Sequence, residues 1–373
     1  MVDQRICLFV CGDVMPGRGI DQVLPHPSEP QLFEYYVRDA RVYVELAEAA
    51  HGPIPRPASY DYIWGDALEE LTRAGADLRL INLETSITTS NDPWPGKEIQ
   101  YRMHPGNIAC LKAAGIDCCA LANNHVLDWG YAGLAETLAT LDEAGIRHAG
   151  AGANAAEARL PAVLEVPGKG RVLVFSFGSV TSGIPRQWAA AEDRPGVNLL
   201  ADLSQETAAN VAAAMRQMKS PGDLIVASIH WGSNWGYKIP AAQIGFAHRL
   251  IEEGVDLVHG HSSHHIRALE LYRGCPILYG CGDFLTDYEG IEGYEQFRGD
   301  LAAMYFITLA AAGCEGARPA EVRLVPLQAR QFRLRRVCAT DAHWTWQMLS
   351  RECARFGTEV WLNDDNSLSV RSV

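Results

Sequence analysis

Side chains that bind divalent metals occur at five places in the sequence, each directly after a short apolar segment. These places are Gly12-Asp13, Asn82-Leu83-Glu84, Asn123-Asn124-His125 with Asp128-Trp129-Gly130, His230-Trp231-Gly232, and His259-Gly260-His261-Ser262-Ser263-His264-His265. Because the carboxyl ends of strands in an open α/β sheet share one edge, residues that follow different strands meet there. We therefore predict one cleft that holds six candidate metal ligands: Asp13, Glu84, Asn124, His230, His261 and His264.

The mixture of imidazole and carboxylate groups indicates the class of metal. Nitrogen and oxygen ligands together favour zinc, iron, manganese or nickel over calcium, which takes oxygen ligands alone. Glu84 carries two oxygens and can bridge two ions, and a two-ion site can clamp the entering and leaving oxygens of a phosphoryl displacement. We expect one or two divalent ions, with manganese, iron or zinc favoured; a site without metal stays an alternative.

Each candidate also has a structural explanation that the sequence leaves open. Asp13 follows a glycine at a strand end, where aspartate is often a turn or N-cap residue. Glu84 could be a solvated loop charge, and Asn124 could form an Asx turn. Trp231 fits a core or a pocket wall, and His248 lies on the apolar face of a helical pattern, which is typical of a core histidine.

The elements that must position these residues alternate between strand and helix patterns, which predicts an α/β fold. The predicted strands are Ile6–Val10, Leu78–Leu83, Asp117–Leu121, Arg171–Phe177, Leu224–Ile229 and Val255–His259. Helices are predicted over Gly130–Ala144 and Ala241–Glu253, and a glycine follows each. In the second half, Pro167-Gly168-Lys169-Gly170 and Arg273-Gly274 indicate hairpin turns before the long apolar strand Leu301–Leu309. A mixed sheet, or two packed sheets with helices outside, fits this pattern better than a fully parallel sheet.

One domain is predicted over residues 1–330, with an insertion at residues 21–60 whose middle, Leu32–Ala50, is predicted to be helical. Residues 331–373 are predicted to form a C-terminal extension packed on this domain, with a helix near Ala342–Phe356 and a short strand.

Two glycine-bounded segments near the polar clusters, Gly232–Gly236 and Gly282–Gly293, are predicted to be mobile loops that could close over a ligand. In the second segment, Asp287 and Glu289 are interpreted as solvated loop charges.

Composition narrows the classes of partner and compartment. The chain has 373 residues and a formal net charge of -13, which argues against a general nucleic-acid binder because such proteins need a basic face. Met1-Val2-Asp3-Gln4-Arg5 runs directly into an apolar strand, and no segment is long enough to span a bilayer. The ten cysteines lie mostly in apolar strand patterns without a C-x-x-C pair. We expect a cytoplasmic protein with free thiols and no membrane anchor; the sequence sets no oligomeric state.

The ordered motifs resemble those of the CapA (poly-γ-glutamate capsule synthesis) family within the calcineurin-like metallophosphoesterase superfamily. The shared series is Gly-Asp, Asn-x-Glu, Asn-His with a downstream Asp-x-Gly, His-Trp-Gly and Gly-His-x-x-His, and Tyr279-Gly280-Cys281-Gly282-Asp283-Phe284 also resembles a family motif. The resemblance extends from Cys7 to Leu309 and implies a four-layer α-β-β-α sandwich of two mixed sheets flanked by helices.

The resemblance also implies roles for individual residues. Asp13, Glu84 and one histidine of the last cluster would hold one metal ion, and Glu84, Asn124, His230 and another of those histidines would hold a second. His125 would act as the general acid that protonates the leaving group, oriented by Asp128. The residues predicted to line the substrate pocket are Asn82, Trp129, Trp231, Asn234, His265 and Asp283.

The sequence departs from the superfamily at several motif positions. Met15 stands where these enzymes carry a metal-binding histidine, and the last motif offers either His264 or His265 as its second ligand. Asn234 stands where related sequences often carry glutamate. A site with a single metal is therefore an alternative to the two-metal site.

Three functions fit the sequence. The first is a CapA-type, metal-dependent enzyme that hydrolyses a phosphoester or related bond. The second is a non-hydrolytic biosynthetic enzyme that performs cyclisation, dehydration or amide chemistry on a small-molecule or peptide-like substrate. It is favoured by Met15 and by the aromatic residues of the insertion over Phe33–Tyr43. The third is a non-catalytic accessory protein of poly-γ-glutamate or capsule assembly.

Overall fold

The computed structural model describes residues 5–310 and 320–372, which form strands and helices in alternation. The strands are β1 (Ile6–Val14), β2 (Leu78–Leu83), β3 (Ser86–Ile87), β4 (Arg102–Met103), β5 (Cys118–Ala120), β6 (Arg147–Ala149), β7 (Ala151–Gly152), β8 (Ala162–Val166), β9 (Gly170–Gly178), β10 (Gly196–Val197), β11 (Leu224–His230), β12 (Leu257–His261), β13 (Leu269–Tyr272), β14 (Cys275–Leu278), β15 (Asp283–Leu285), β16 (Leu301–Leu309), β17 (Glu321–Arg330), β18 (Arg333–Arg336), β19 (Thr358–Leu362) and β20 (Leu368–Ser372). The helices are α1 (Arg41–His51), α2 (Ala67–Ala74), α3 (Ala109–Ala113), α4 (Gly130–Ala144), α5 (Ala155–Ala158), α6 (Gln205–Met218), α7 (Ala241–Glu252) and α8 (Ala339–Cys353).

Two large mixed sheets organise these elements. The first has the order β19-β20-β17-β16-β1-β2-β5-β6, with β15 paired to β1 and β18 paired to β17. The second has the order β13-β14-β12-β11-β9-β8. In the first sheet β1, β2, β5 and β6 run parallel, and on the other side of β1 the strands β16, β17, β20 and β19 are each antiparallel to their neighbour. In the second sheet β9, β11, β12 and β14 run parallel, and hairpins add β8 antiparallel to β9 and β13 antiparallel to β14. Both predicted hairpins are thus confirmed.

Alternating side chains of β1 show how the layers are stacked. Ile6, Leu8 and Val10 belong to a core that also contains residues of the second sheet, whereas Phe9 and Cys11 belong to a separate core on the other face. Because successive side chains of a strand point to opposite faces, the first sheet is buried on both sides. This double burial explains why its strands read as continuous apolar segments.

Helices cover the outer face of each sheet. Leu134 and Leu141 of α4 pack in the core outside the first sheet, and Ala208 of α6 and Phe246 of α7 pack in the core outside the second. The order helix, sheet, sheet, helix confirms the predicted four-layer α/β sandwich.

The structure corrects two predicted elements. In the insertion the α-helix covers only Arg41–His51, and the segment 32–40 before it, where Tyr35 and Tyr36 are exposed, is irregular. Residues after 331 form three strands instead of one, and β18 and β20 both pair with β17 in the first sheet. The C-terminal segment therefore extends the main sheet.

The cysteines and the helices are described in the same residues. The nine cysteines in the described residues are unpaired. Within residues 5–310 and 320–372, no helix is both long enough and apolar enough to cross a bilayer.

Candidate metal centre

An irregularity in β1 aims Asp13 at the second sheet. The pairing of β1 with β2 shifts register between Val10 and Asp13. Cys11 and Val14, three positions apart, both lie in the outer core of the first sheet, which a regular strand with period two does not allow. An extra residue is therefore accommodated as a bulge, and the Asp13 carboxylate lies 3.7 Å from His261 Nδ1 of β12.

Amide groups hold the two acidic candidates beside each other. Asn82 Nδ2 donates to Asp13 Oδ1 at 2.7 Å and to Glu84 Oε2 at 3.1 Å. The Asn82 amide is itself oriented by Asn123, whose Nδ2 donates to Asn82 Oδ1 at 3.1 Å. The backbone N–H of Ser262 donates to Asp13 Oδ2 at 3.1 Å. All these side chains are buried, so their geometry is fixed by the fold.

Two imidazoles face the carboxylates from adjacent strands. His230 of β11 and His261 of β12 are register partners, and their Nδ1 atoms lie 2.8 Å apart. The Nδ1 of His230 also lies 3.9 Å from Glu84 Oε2. Ligand atoms of Asp13, His230 and His261 all lie within 4.8 Å of one another.

A chain of hydrogen bonds behind His261 determines which of its nitrogens is free. The carbonyl of Cys11 can only accept, so His259 Nε2 donates to it at 2.7 Å and its Nδ1 is an acceptor. Ser228 Oγ donates to this Nδ1 at 3.0 Å and accepts from His261 Nε2 at 3.0 Å. His261 therefore carries its proton on Nε2 and presents the lone pair of Nδ1 to the site.

The same argument applies to His230. Its Nε2 lies 2.8 Å from Asn124 Oδ1, which is an acceptor, so the proton is on Nε2 and the Nδ1 lone pair faces His261. Two lone pairs that converge beside a carboxylate form a donor set for a divalent cation, and an outer partner on the opposite nitrogen is the usual arrangement for metal-binding histidines. The residues present therefore fit a metal ion.

Burial and the charges of neighbouring groups strongly shift the pKa values of these four side chains. Burial, followed by repulsion from Asp283, raises the pKa of Asp13 to about 7. Burial and the charges of Asp13 and Asp283 raise the pKa of Glu84 well above its usual range. Burial and neighbouring imidazoles lower the pKa of His230 and of His261 well below the usual range. Neutral imidazoles beside buried carboxylates are the protonation states that a cation would select.

A second group of residues borders this donor set. His125 Nδ1 donates to Asp128 Oδ2 at 2.6 Å, and the backbone N–H of Tyr101 donates to the same oxygen at 2.7 Å. Lys97 Nζ lies 3.1 Å from Asp128 Oδ1. The free Nε2 of His125 lies 3.8 Å from Glu84 Oε1. Burial lowers the pKa of His125 to about 4, although the Asp128 carboxylate opposes this effect.

The last histidines of the final motif have different partners. His264 Nδ1 lies 2.9 Å from Asp283 Oδ1, and its Nε2 accepts from Asn234 Nδ2 at 3.0 Å. His265 uses both ring nitrogens for backbone groups, since Nε2 accepts from Gly236 N–H and Nδ1 donates to Ile266 C=O. Of these two candidates, His264 is the one beside the site, where it is paired with Asp283.

The two predicted pocket tryptophans are almost fully buried. The ring of Trp231 packs against Phe246 in the outer core of the second sheet, and its Nε1 donates to the carbonyl of Tyr279. Trp129 packs under the Arg102 guanidinium, 3.9 Å from its ring centroid, and its Nε1 donates to the carbonyl of Tyr101. Both indoles therefore pack in the protein interior.

A buried ion-pair cluster next to His125 was missed in the sequence. Arg18 donates to both oxygens of Asp287 at 2.8 and 2.6 Å and to Glu34 Oε1 at 2.9 Å. The guanidinium also lies 4.4 Å from the ring centroid of Tyr101, and that ring contacts the His125 imidazole edge-on. Arg18-Gly19, shortly after the first motif, is the sequence signal that could have indicated this cluster. Arginine next to glycine is, however, common in exposed turns.

The interpretation of Asp287 and Glu289 as solvated charges was wrong. Asp287 is fully buried in the Arg18 ion pair. Glu289 accepts from the backbone N–H groups of Gln331 and Phe332 and contacts His51. The segment predicted as a mobile loop also begins with β15, which pairs with β1. These contacts tie the segment to the fold.

Comparison with known proteins identifies similar sequences. The profile of the family described as bacterial capsule synthesis protein PGA_cap matches residues 7–288. A "Probable polyglutamine synthesis accessory protein" of Mycobacterium tuberculosis is 48% identical over 367 residues, covering 98% of this chain and 96% of the relative. The "PGA biosynthesis protein CapA" of Bacillus subtilis is 24% identical over 355 residues, covering 93% and 81%. The "Capsule biosynthesis protein CapA" of Bacillus anthracis is 20% identical over 370 residues, covering 99% and 78%.

Proposed function

Because the chain belongs to the PGA_cap family of bacterial capsule synthesis proteins, within the metallophosphoesterase-like superfamily, we propose that it is a divalent-metal-dependent enzyme. The reaction we propose is hydrolysis of a phosphoester or a related bond in a small-molecule or peptide-like substrate. The observation that carries the proposal is the meeting of Asp13, His230 and His261 within 4.8 Å, next to an imidazole–carboxylate pair.

The proposed ligands are Asp13, His230 and His261, with Glu84 beside them. A divalent ion bound there would act as a Lewis acid and lower the pKa of a bound water toward neutrality. Asn82 keeps the two carboxylates in place, and Ser228 and Asn124 keep the Nδ1 lone pairs of the histidines turned inward.

His125 is the residue proposed to move a proton. Asp128 holds its Nδ1–H, so that Nε2 faces the site and can take a proton from one oxygen of the reacting group or return it to another. Lys97 Nζ lies 3.1 Å from the other oxygen of Asp128 and helps to hold that carboxylate in place. Burial leaves the free imidazole neutral at neutral pH, as a proton acceptor requires.

Elemental analysis of the purified, untagged protein tests the metal site. We expect about one ion per chain, as at other centres with three protein ligands, and loss of that ion in His230→Ala and His261→Ala. His248→Ala is the matched control, because this imidazole lies on α7 outside the site and is hydrogen-bonded to Glu270 of β13. Unchanged metal content in the two site variants would overturn the assignment.

Activity is tested separately with a set of phosphomonoester and phosphodiester probes on the metal-loaded protein. General acid–base catalysis typically contributes about 100- to 10,000-fold, so His125→Ala should lose that much activity while keeping its metal. Equal turnover by His125→Ala and the wild type would exclude the proposed role of this residue. A metal-loaded protein inactive on every probe would favour another reaction.

A second candidate function follows from the relatives. The relative that is 48% identical is named as an accessory protein of polyglutamine synthesis, and two CapA proteins are named for capsule or PGA biosynthesis. On this reading the chain assists polymer synthesis without turning over a substrate. Metal-dependent binding of a glutamate oligomer without change in its length, measured by calorimetry and mass spectrometry, would support it over hydrolysis.

A further inference from the structure

A second buried cationic group lies outside the candidate metal centre. The Arg267 side chain is only 1% exposed, and its Nη2 donates to the carbonyl of Ser233 at 2.6 Å and to the Ser233 hydroxyl at 3.1 Å. Its Nε is buried and has no acceptor among the described residues. A guanidinium has five N–H groups, and in the described structure only those of Nη2 have a protein acceptor.

In the part of the chain that the structure describes, Arg267 also has no carboxylate partner, although a buried arginine normally has one. Arg18 is equally buried and contacts two carboxylates, Asp287 and Glu34. Among residues 5–310 and 320–372 no charged group offsets the cost of burying Arg267, and burial lowers the pKa of Arg267 to about 10. Burying an unpaired ion is strongly unfavourable even after relaxation, so a compensating anion is the expected partner.

Gln243 provides a second unpartnered polar group at the same place. It is 1% exposed, and within the described parts of the chain neither its amide nitrogen nor its amide oxygen has a hydrogen-bond partner. A Cβ built on Gly232 would lie 2.6 Å from Gln243 Nε2 and 3.4 Å from Arg267 Nη1. Both donors therefore converge on the glycine that opens the segment after β11.

The first turn of α7 adds to the positive potential. Gln243 is the third residue of this 12-residue helix, and its N-cap residue, Pro240, makes no side-chain cap. The N-terminal end of a helix attracts anions through its free N–H groups and its dipole. The hydroxyl of Tyr237, which also lacks a hydrogen-bond partner in the described structure, lies in the segment between Gly232 and α7.

We propose that Arg267, Gln243 and the first turn of α7 bind a small oxyanion or halide beneath the segment 232–237. The ligand class is a compact monovalent or divalent anion, either inorganic or the carboxylate of a metabolite. The anion could enter after a local displacement of this segment alone, because Ser233 and Asn234 are exposed. The site is independent of the proposed hydrolysis. Its occupancy would stabilise the segment that carries Asn234, the partner of His264.

The test is the melting temperature of the full-length protein at constant ionic strength in a buffer whose only anion is a bulky sulfonate. Chloride, phosphate, acetate and glutamate are titrated separately, so that inorganic and carboxylate ligands are distinguished. Ligand binding to the folded state alone should raise the melting temperature saturably, by about 2 °C or more at ten times the dissociation constant. A linear or anion-independent response in the wild type would overturn the proposal.

Two variants and one control locate the effect. Arg267→Met and Gln243→Leu should each abolish or strongly reduce the saturable shift, whereas Arg355→Met, an exposed arginine paired with Glu352, should keep it. If Arg267→Met does not fold, bromide-soaked crystals of the wild type give an independent answer. An anomalous peak beside Arg267 supports the site, and bromide peaks only elsewhere on the protein contradict it.

Discussion

At the scale of single residues, the hydrogen bonds behind the central imidazoles decide how the candidate centre can work. Ser228 is the link that passes the orientation of His259 to His261, because its hydroxyl donates to one ring and accepts from the other. Neither Ser228 nor His259 would itself contact a metal ion in this arrangement. Their contribution is to keep the proton of His261 away from the site.

Ser228→Ala should therefore weaken metal binding without removing a ligand. Loss of such outer partners typically costs about 10- to 100-fold in metal affinity, and a competition titration against a chelator measures it. Ser350→Ala, whose hydroxyl lies near a backbone carbonyl far from the site, is the matched control. Wild-type affinity in Ser228→Ala would show that the proton position on His261 is set by something else.

The sequence indicated which candidate ligands would lie together, but it did not indicate the partners that orient them. Asp13, His230 and His261 were recognised because ligand types cluster after strands, and the structure brings their ligand atoms together. Lys97 was missed, since a lysine in a loop carries no signal until its contact with Asp128 is known. The choice between His264 and His265 also depends on side-chain direction, which the sequence does not specify.

At the scale of elements, the Arg18 cluster joins three segments that are distant in the chain. Arg18 follows β1, Glu34 belongs to the insertion, and Asp287 follows β15. The insertion was expected to be helical from Leu32 because apolar and aromatic residues recur there. In the structure, Glu34 instead turns inward to the ion pair while Tyr35 and Tyr36 are exposed, so tertiary contacts override the local pattern.

Arg18→Met should destabilise the fold strongly, because Asp287 and Glu34 would be left buried without a counter-charge. Breaking a buried pair from one side typically costs about 3–5 kcal/mol, measurable by urea unfolding. In the exposed pair Arg41–Asp39, the same substitution, Arg41→Met, should leave the free energy of unfolding almost unchanged, because solvent screens this pair. Similar small effects at both positions would mean that the buried cluster relaxes on mutation.

At the scale of the whole molecule, two sheets and their outer helices were predicted from the alternation of patterns, and this part of the prediction is confirmed. The role of the C-terminal segment was not foreseen, because pairing partners that are distant in sequence leave no local signal. In the structure β20 pairs with β17, and Val360, Leu368 and Val370 enter the core between the sheets.

Deleting residues 358–373 should therefore impair the whole fold. The deletion removes β19 and β20, exposes part of the β17 edge and uncovers apolar residues, which favours aggregation. Size-exclusion chromatography with light scattering measures the outcome. Trp361→Thr is the control on the same strand, because this side chain is exposed and its loss should leave the elution profile unchanged. A soluble, unaggregated deletion variant would contradict the prediction.

The bulge in β1 has a consequence for how this protein can vary in evolution. Loops on the surface accept insertions and deletions, and most single substitutions in β1 would change packing only. Removing one residue between Val10 and Asp13 would instead restore the regular alternation of the strand and turn Asp13 away from His261. The number of residues in this short segment is thus more strictly constrained than their identity. We expect related chains with this centre to differ here by substitution and never by length.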